Sequence, residues 1–295
     1  MRYELARILS VRNWYARPEA LRALAAYSKG VGPSVAELQA AGMAAPAAGR
    51  AGGAYESRQA AGIAVLPLMG LLTQRGSWYG SSMEEYAQAF KDAVAAAGVQ
   101  AIVLLIDSPG GEVSWVEELA MIVRGARGTK PIIAVASCQM CSAAYYIGAQ
   151  ADEIFVTPSG EAGSIGVWNA HEDWSVAYDQ FGVKVTLVYA GEGKVDGNPF
   201  EPLSEDAKAE MQADVDRYYA MFVGAVSKGR KVPAKTIQGK WQARIYGAPA
   251  AVELGLADKV GTLDDAIARA SKLGGKGRST SALDAEDEAR MRARR

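Results

Sequence analysis

Histidine and cysteine are nearly absent from this sequence: its 295 residues include one histidine, His171, and two cysteines, Cys138 and Cys141. Two thiols cannot build a disulfide framework, and standing only three positions apart they suit a reducing compartment. Their C-x-x-C spacing opens a thiol-redox or half-zinc reading, but no second pair supplies further sulfur ligands. Small, buried, apolar cysteines are the reading we carry forward. Net charge is also lacking, with 32 basic and 33 acidic side chains giving -1. No overall field therefore commits the chain to nucleic acid or to a membrane surface. No apolar run approaches the ~18 residues of a membrane-spanning helix. Met1-Arg2-Tyr3-Glu4 opens no signal peptide, and the expected location is cytoplasmic. What is present is ordinary for a globular enzyme: 49% hydrophobic and 22% charged residues, which excludes a disordered, collagenous or coiled-coil chain.

The length allows one large domain with appendages. Residues 1–60 carry an excess of four basic side chains and end in an Ala/Gly/Pro-rich piece from Ala41 to Gly53, so we read an N-terminal arm and linker, with helical spacing from Arg12 to Tyr27. Residues 61–273 alternate apolar runs with amphipathic segments. Strands are expected at Ile63–Leu72, Ala101–Ile106, Pro131–Ala136, Glu153–Val156 and Lys184–Tyr189. Helices are expected at Ser82–Ala97, Glu112–Arg127, Ser142–Ala151 and Ser204–Lys228, with a last small unit from Ala248 to Leu273. This is the β-α-β rhythm of a parallel sheet. Residues 274–295 read as a flexible, charged tail.

In parallel α/β sheets ligands meet the carboxyl ends of the strands, which directs attention to three turns. Asp107-Ser108-Pro109-Gly110-Gly111 has paired glycines that can expose backbone N–H groups to an oxyanion; a tight turn without chemistry is the other reading. Ser142, after Cys138-Gln139-Met140-Cys141, stands at a helix start among small residues, where it is either a nucleophile or an N-cap. Gly160-Glu161-Ala162-Gly163-Ser164-Ile165-Gly166 lacks the G-x-G-x-x-G spacing of a dinucleotide loop, which argues against a nicotinamide cofactor. A nucleophilic serine needs a proton acceptor. His171 lies in a polar stretch that reads as exposed loop, and Lys194 lies between glycines in a loop able to fold over a site. A lysine works as a base near neutrality only when burial lowers its pKa.

Taken together the segments resemble peptidase family S49, which includes signal peptide peptidase A and phage head maturation proteases of the protein C type. The resemblance rests on Asp107-Ser-Pro-Gly-Gly111, Ser142-Ala-Ala-Tyr-Tyr-Ile147 with Ala151-Asp152-Glu153-Ile154, Gly163-Ser-Ile-Gly-Val167, Lys194 with Gly197-Asn198-Pro199-Phe200, and Gly255-Leu256-Ala257-Asp258. It spans roughly residues 60–270. It implies an α/β, ClpP/crotonase-like fold with a parallel sheet and flanking helices. It also implies a Ser/Lys dyad: Ser142 as nucleophile, Lys194 as general base, Ser164 as the hydroxyl that bonds the amine, and the Gly111 and Ala143 N–H groups as oxyanion hole. No metal or cofactor is implied.

The substrate would be a polypeptide, and the chain a homo-oligomer whose neighbouring subunits complete each site. The absent membrane anchor favours the phage branch, with scaffold and capsid or portal proteins as partners inside an assembling procapsid. Two rivals stand beside this reading: a crotonase-like acyl-CoA enzyme, which leaves Ser142, Ser164 and Lys194 unexplained, and a non-catalytic capsid-assembly protein of the same fold.

Overall fold

The structure, a computed structural model, describes residues 14–16, 62–76 and 80–275. Its elements are β1 (Trp14–Ala16), β2 (Ile63–Met69), α1 (Met83–Ala95), β3 (Ala101–Ser108), β4 (Gly110–Glu112), α2 (Val116–Gly125), β5 (Ile132–Cys141) and α3 (Ala143–Gly148). There follow β6 (Glu153–Val156), β7 (Glu161–Gly163), α4 (Ser175–Gln180), α5 (Glu205–Arg230), β8 (Ile245–Gly247), α6 (Ala248–Glu253) and β9 (Lys259–Val260). A helix over 263–275, α7, ends the described chain.

The main sheet runs β2-β3-β5-β6-β9, with parallel pairing throughout. β5 is long enough to pair β6 with its first half and β7, also parallel, with its second; β8 then adds antiparallel to β7. Alternation along the strands sorts side chains between two faces. Ala64, Leu66, Leu68, Ile102, Leu104 and Ile106 point to a face covered by α1, α2, α3 and α5. Ile63, Val65, Val103, Ile133, Val135 and Phe155 point to the other, where Ala266 and Ala270 of α7 lie. A strand buried on both faces must be apolar at nearly every position, which is why Ala101–Ile106 reads as an unbroken run. Each fully buried Leu, Ile or Val contributes about 1.5–3 kcal/mol.

Local signals explain most helix starts. Ser82 caps α1 by accepting from the Glu85 N–H at 3.2 Å, and Ser204 caps α5 from Ala207 at 3.2 Å. Four expectations need correction. The Lys184–Tyr189 strand does not form: within 169–203 the regular structure is the short helix α4, and the run pairs with no strand among the described residues. The helix expected from Glu112 begins at Val116, because Gly110–Glu112 is extended and pairs on both sides. The expected Ser142–Ala151 helix is confined to α3. Within Arg12–Tyr27, residues 14–16 are a strand, antiparallel to β4 with Tyr15 opposite Gly111; the rest of that stretch lies outside the described residues, as does the tail from 276 onward.

Candidate active site

Three loops converge at the carboxyl ends of β3, β5 and β7. The β3–β5 register pairs Ser108 with Met140, and the β5–β7 register pairs Cys141 with Gly163. Gly110 and Ser142 each follow the first pair by two residues, and Ser142 and Ser164 each follow the second by one, so the three loops reach the end of the sheet at one level, with Gly111 next to Gly110. The Ser142 N–H donates to the Gly163 carbonyl at 2.8 Å, and the Ser164 N–H donates to the Arg244 carbonyl at 2.8 Å, which ties the loops together.

Ser142 has φ 55 and ψ -120, a backbone state that L-residues avoid and that costs on the order of 1–3 kcal/mol. The N-cap reading fails, because its side chain makes no cap hydrogen bond, although the residue is 2% exposed. A sharp strand-to-helix turn of this kind lifts a hydroxyl off the sheet and presents it beside the first free N–H groups of a helix. Ala143 supplies the first of these. Ser164 is likewise at positive φ, 56, and half-buried.

Gly110 takes φ 108 and Gly111 is buried. A Cβ on Gly111 would stand 1.9 Å from the Leu72 carbonyl oxygen, so only glycine lets β4 approach Leu72. That approach is fixed by two backbone bonds of 2.9 Å, from the Leu72 N–H to the Gly110 carbonyl and from the Glu112 N–H to the Leu72 carbonyl. Glu112, read in the sequence as a helix residue, is buried and one carboxylate oxygen accepts from the Gln74 N–H at 3.2 Å.

The structure thus brings Gly111, Ser142, Ala143 and Ser164 to one end of the sheet. It does not bring Lys194 there within one chain. Lys194 sits exposed in a turn, its N–H donating to the Gly191 carbonyl at 3.2 Å, and no hydrogen bond joins its amine to Ser142 or Ser164 among the described residues. His171, the other candidate base, is half-buried rather than an exposed loop residue. Its Nε2 lies 2.8 Å from the Asn198 carbonyl oxygen, so that nitrogen carries the proton and is engaged. The cysteine expectation holds for Cys141, which is buried, and fails for Cys138, which is exposed. Partial desolvation of its sulfur, and then the charges of Asp107 and Glu161, push the Cys138 thiol above its ordinary value, opposite to what a redox thiolate needs. Trp115 is half-buried and packs on the core; Trp78 lies outside the described residues.

From Trp168 to Leu203 the chain forms an excursion whose apolar side chains lack cover: Val176 is 67%, Phe181 84%, Val188 94% and Tyr189 57% exposed. Its two stems are joined by the His171–Asn198 contact and by the Trp174 N–H donating to the Pro199 carbonyl at 2.8 Å. Among the described residues no helix is long and apolar enough to cross a membrane.

The model of Peptidase family S49 matches residues 125–276. The chain is 34% identical over 236 residues to Capsid assembly protease C of Escherichia phage lambda, covering 74% of this chain and 52% of that one. It is 34% identical over 211 residues to Head-tail preconnector protein GP5 of Enterobacteria phage P21, covering 70% and 42%. A Putative signal peptide peptidase SppA of Enterococcus faecium is 31% identical over 170 residues, covering 57% and 49%. The chain therefore spans about half the length of these curated relatives.

Proposed function

The chain belongs to peptidase family S49, with an α/β, ClpP-like fold, and from that premise we propose that it is a serine endopeptidase whose nucleophile is Ser142. The observation that carries this reading is the turn at Ser142: positive φ, a hydroxyl without a cap bond, and the head of α3 beside Gly111. Strain of this sort has no packing purpose at an N-cap, where extended backbone serves better.

In the proposed reaction Ser142 Oγ adds to the scissile carbonyl carbon and its proton passes to the Lys194 amine. The Gly111 and Ala143 N–H groups hold the oxyanion, and the departing amine takes the proton back from the lysine. Water, activated by the same amine, then hydrolyses the acyl-enzyme. Ser164 orients the amine. Because Lys194 is exposed on an apolar, uncovered excursion, its base role requires a second copy of the chain. Burial of Val176, Phe181, Val188 and Tyr189 against that copy would deliver the lysine to the neighbour's Ser142 and desolvate it there. A homo-oligomer with shared sites follows.

Peptides with small or apolar residues at the cut are the expected substrates. The names of the phage relatives favour scaffold, capsid or portal proteins as physiological ones, with the chain working in phage or prophage head maturation. The test is covalent labelling by a serine-hydrolase probe, read by intact mass and peptide mapping over pH 6 to 10. Labelling at Ser142 that rises with pH and disappears in Lys194→Ala supports the dyad. A folded oligomer that is not labelled at all moves the assignment to a non-catalytic assembly protein.

A further inference from the structure

Lys194 rides on a turn that packing does not hold. Gly191, Gly193 and Gly197 take φ 100, 75 and 70, a left-handed state that glycine enters without strain and leaves as readily, so the unbraced turn has many alternatives. Against it lies a cavity of about 300 Å³ whose lining includes His171, Tyr189, Val195, Asn198, Glu201 and Ser204. Hydrogen bonds take the place of packing, and they meet at Asn198. Its N–H donates to the Val195 carbonyl at 3.1 Å, and its Nδ2 donates to the same carbonyl at 2.9 Å and to Glu201 Oε1 at 2.6 Å. Its Oδ1 accepts from the Phe200 N–H at 2.9 Å. The remaining polar group, the Asn198 carbonyl, accepts from His171 Nε2 at 2.8 Å. Val195 follows Lys194 directly, so Asn198 holds the turn and His171, on the opposite stem, holds Asn198.

Resting on Lys194 as the base, we propose that His171 is its positioning residue: through Asn198 it fixes the Lys194 turn, so that the amine meets Ser142 of the second copy in one orientation. Releasing Asn198 frees a turn with three glycines, and a displacement of about 1 Å at the amine costs up to about 10²-fold in rate. A histidine suits the task because its Nε2–H donates in the neutral tautomer and in the imidazolium alike, so the bond lasts over the whole range in which the ring titrates. The single histidine of the chain thus moves no proton in the reaction. The Trp174–Pro199 backbone bond and the edge contact of Tyr178 with Phe200, ring centroids 5.3 Å apart, keep the stems together without it. Loss of His171 therefore loosens the turn and leaves the excursion folded.

The experiment compares the full chain with His171→Ala, His171→Asn, His171→Gln and Lys194→Ala by steady-state cleavage of a peptide, sedimentation and thermal unfolding. His171→Ala is expected to assemble and unfold as the parent does, with kcat lowered about 10- to 100-fold and KM unchanged, the sign of an interaction used only in the transition state. A glutamine amide reaches the place of Nε2 and an asparagine amide only that of Nδ1, so His171→Gln should restore kcat and His171→Asn should not. Asn198→Ala should show the same split, and combining it with His171→Ala should cost no more than Asn198→Ala alone, because both act through one turn. Undiminished kcat in His171→Ala beside an inactive Lys194→Ala would overturn the positioning role and leave the dyad standing. A loss that glutamine does not restore, or one that accompanies loss of assembly, would also overturn it. Full activity in Lys194→Ala would sink the base assignment and this inference with it.

Discussion

Gly111→Ala tests the candidate site through its backbone. The added Cβ would lie 1.9 Å from the Leu72 carbonyl oxygen, 2.6 Å from its carbon and 2.7 Å from the Leu72 Cα, where ordinary contact begins at 3.4 Å. All three atoms are main chain, so no side-chain rotation relieves the clash, and β4 must move by roughly 1.5 Å, the shortfall in that contact. Such a shift breaks the two 2.9 Å bonds that hold β4 to Leu72. At about 0.5–1.5 kcal/mol each, their loss lowers stability by roughly 1–3 kcal/mol. It also carries the Gly111 N–H away from the oxyanion, for which a fall in kcat of about 10²–10³ is expected. Urea unfolding and kcat on a peptide substrate measure the two effects, with Gly125→Ala as control. Gly125 ends α2 and a Cβ there meets nothing within 4 Å, so that variant should be neutral or gain up to about 1 kcal/mol. A Gly111→Ala chain with unchanged stability and full activity would refute both the packing argument and the oxyanion assignment.

Three further outcomes are expected. Phe181→Ser and Val188→Asp alter side chains that are 84% and 94% exposed, so they should leave the unfolding midpoint of the isolated chain unchanged. They should nevertheless weaken assembly in sedimentation and, with it, Ser142 labelling; unaltered assembly would remove the excursion from the interface. Arg230, with 7% of its side chain exposed, forks onto Asp258 through two 2.9 Å bonds, and Asp258→Ala removes that counter-ion while leaving the bond to the Gly255 carbonyl at 3.1 Å. The expected loss is about 2–3 kcal/mol, below the ~3–5 of a fully buried pair because Asp258 remains partly wet, and denaturant midpoints would read it.

The third outcome concerns acid. Burial pushes the Asp258 carboxyl up, but the hydrogen bonds and charge of Arg230 outweigh it and hold the group below its ordinary value; Arg269 likewise holds Glu153 low. The unfolded chain then binds more protons than the folded one, so their contribution is complete above the ordinary carboxylate range and is lost as pH falls through the lower folded values. Unfolding midpoints taken from pH 6 to pH 2 should fall at the acid end, and more shallowly for Asp258→Asn; parallel curves would contradict the pairing.

Much of this protein was legible one residue at a time. The apolar runs at Ile63–Leu72 and Ala101–Ile106 announced strands because burial on both faces leaves no polar alternative, although the first strand ends at Met69. Ser82 and Ser204 marked helix starts because an N-cap needs only its own next turn. The residue types at Gly111, Ser142 and Ser164 located three loops of the candidate site because strained turns restrict sequence locally.

Other features were decided by partners far away in the chain. Lys184–Tyr189 has a strand's composition but pairs with no strand among the described residues, so Val188 and Tyr189 stay uncovered and Lys194 stays exposed. Cys138 is exposed while Cys141 is buried, because burial depends on what packs over β5 rather than on the C-x-x-C spacing. β1 has only three residues and carries no periodicity a sequence could reveal. It exists because the turn after β3 leaves the Gly111 N–H and C=O on an open edge. Strand pairing is a contact between distant segments, and only the folded chain decides which backbone edge is left to be filled.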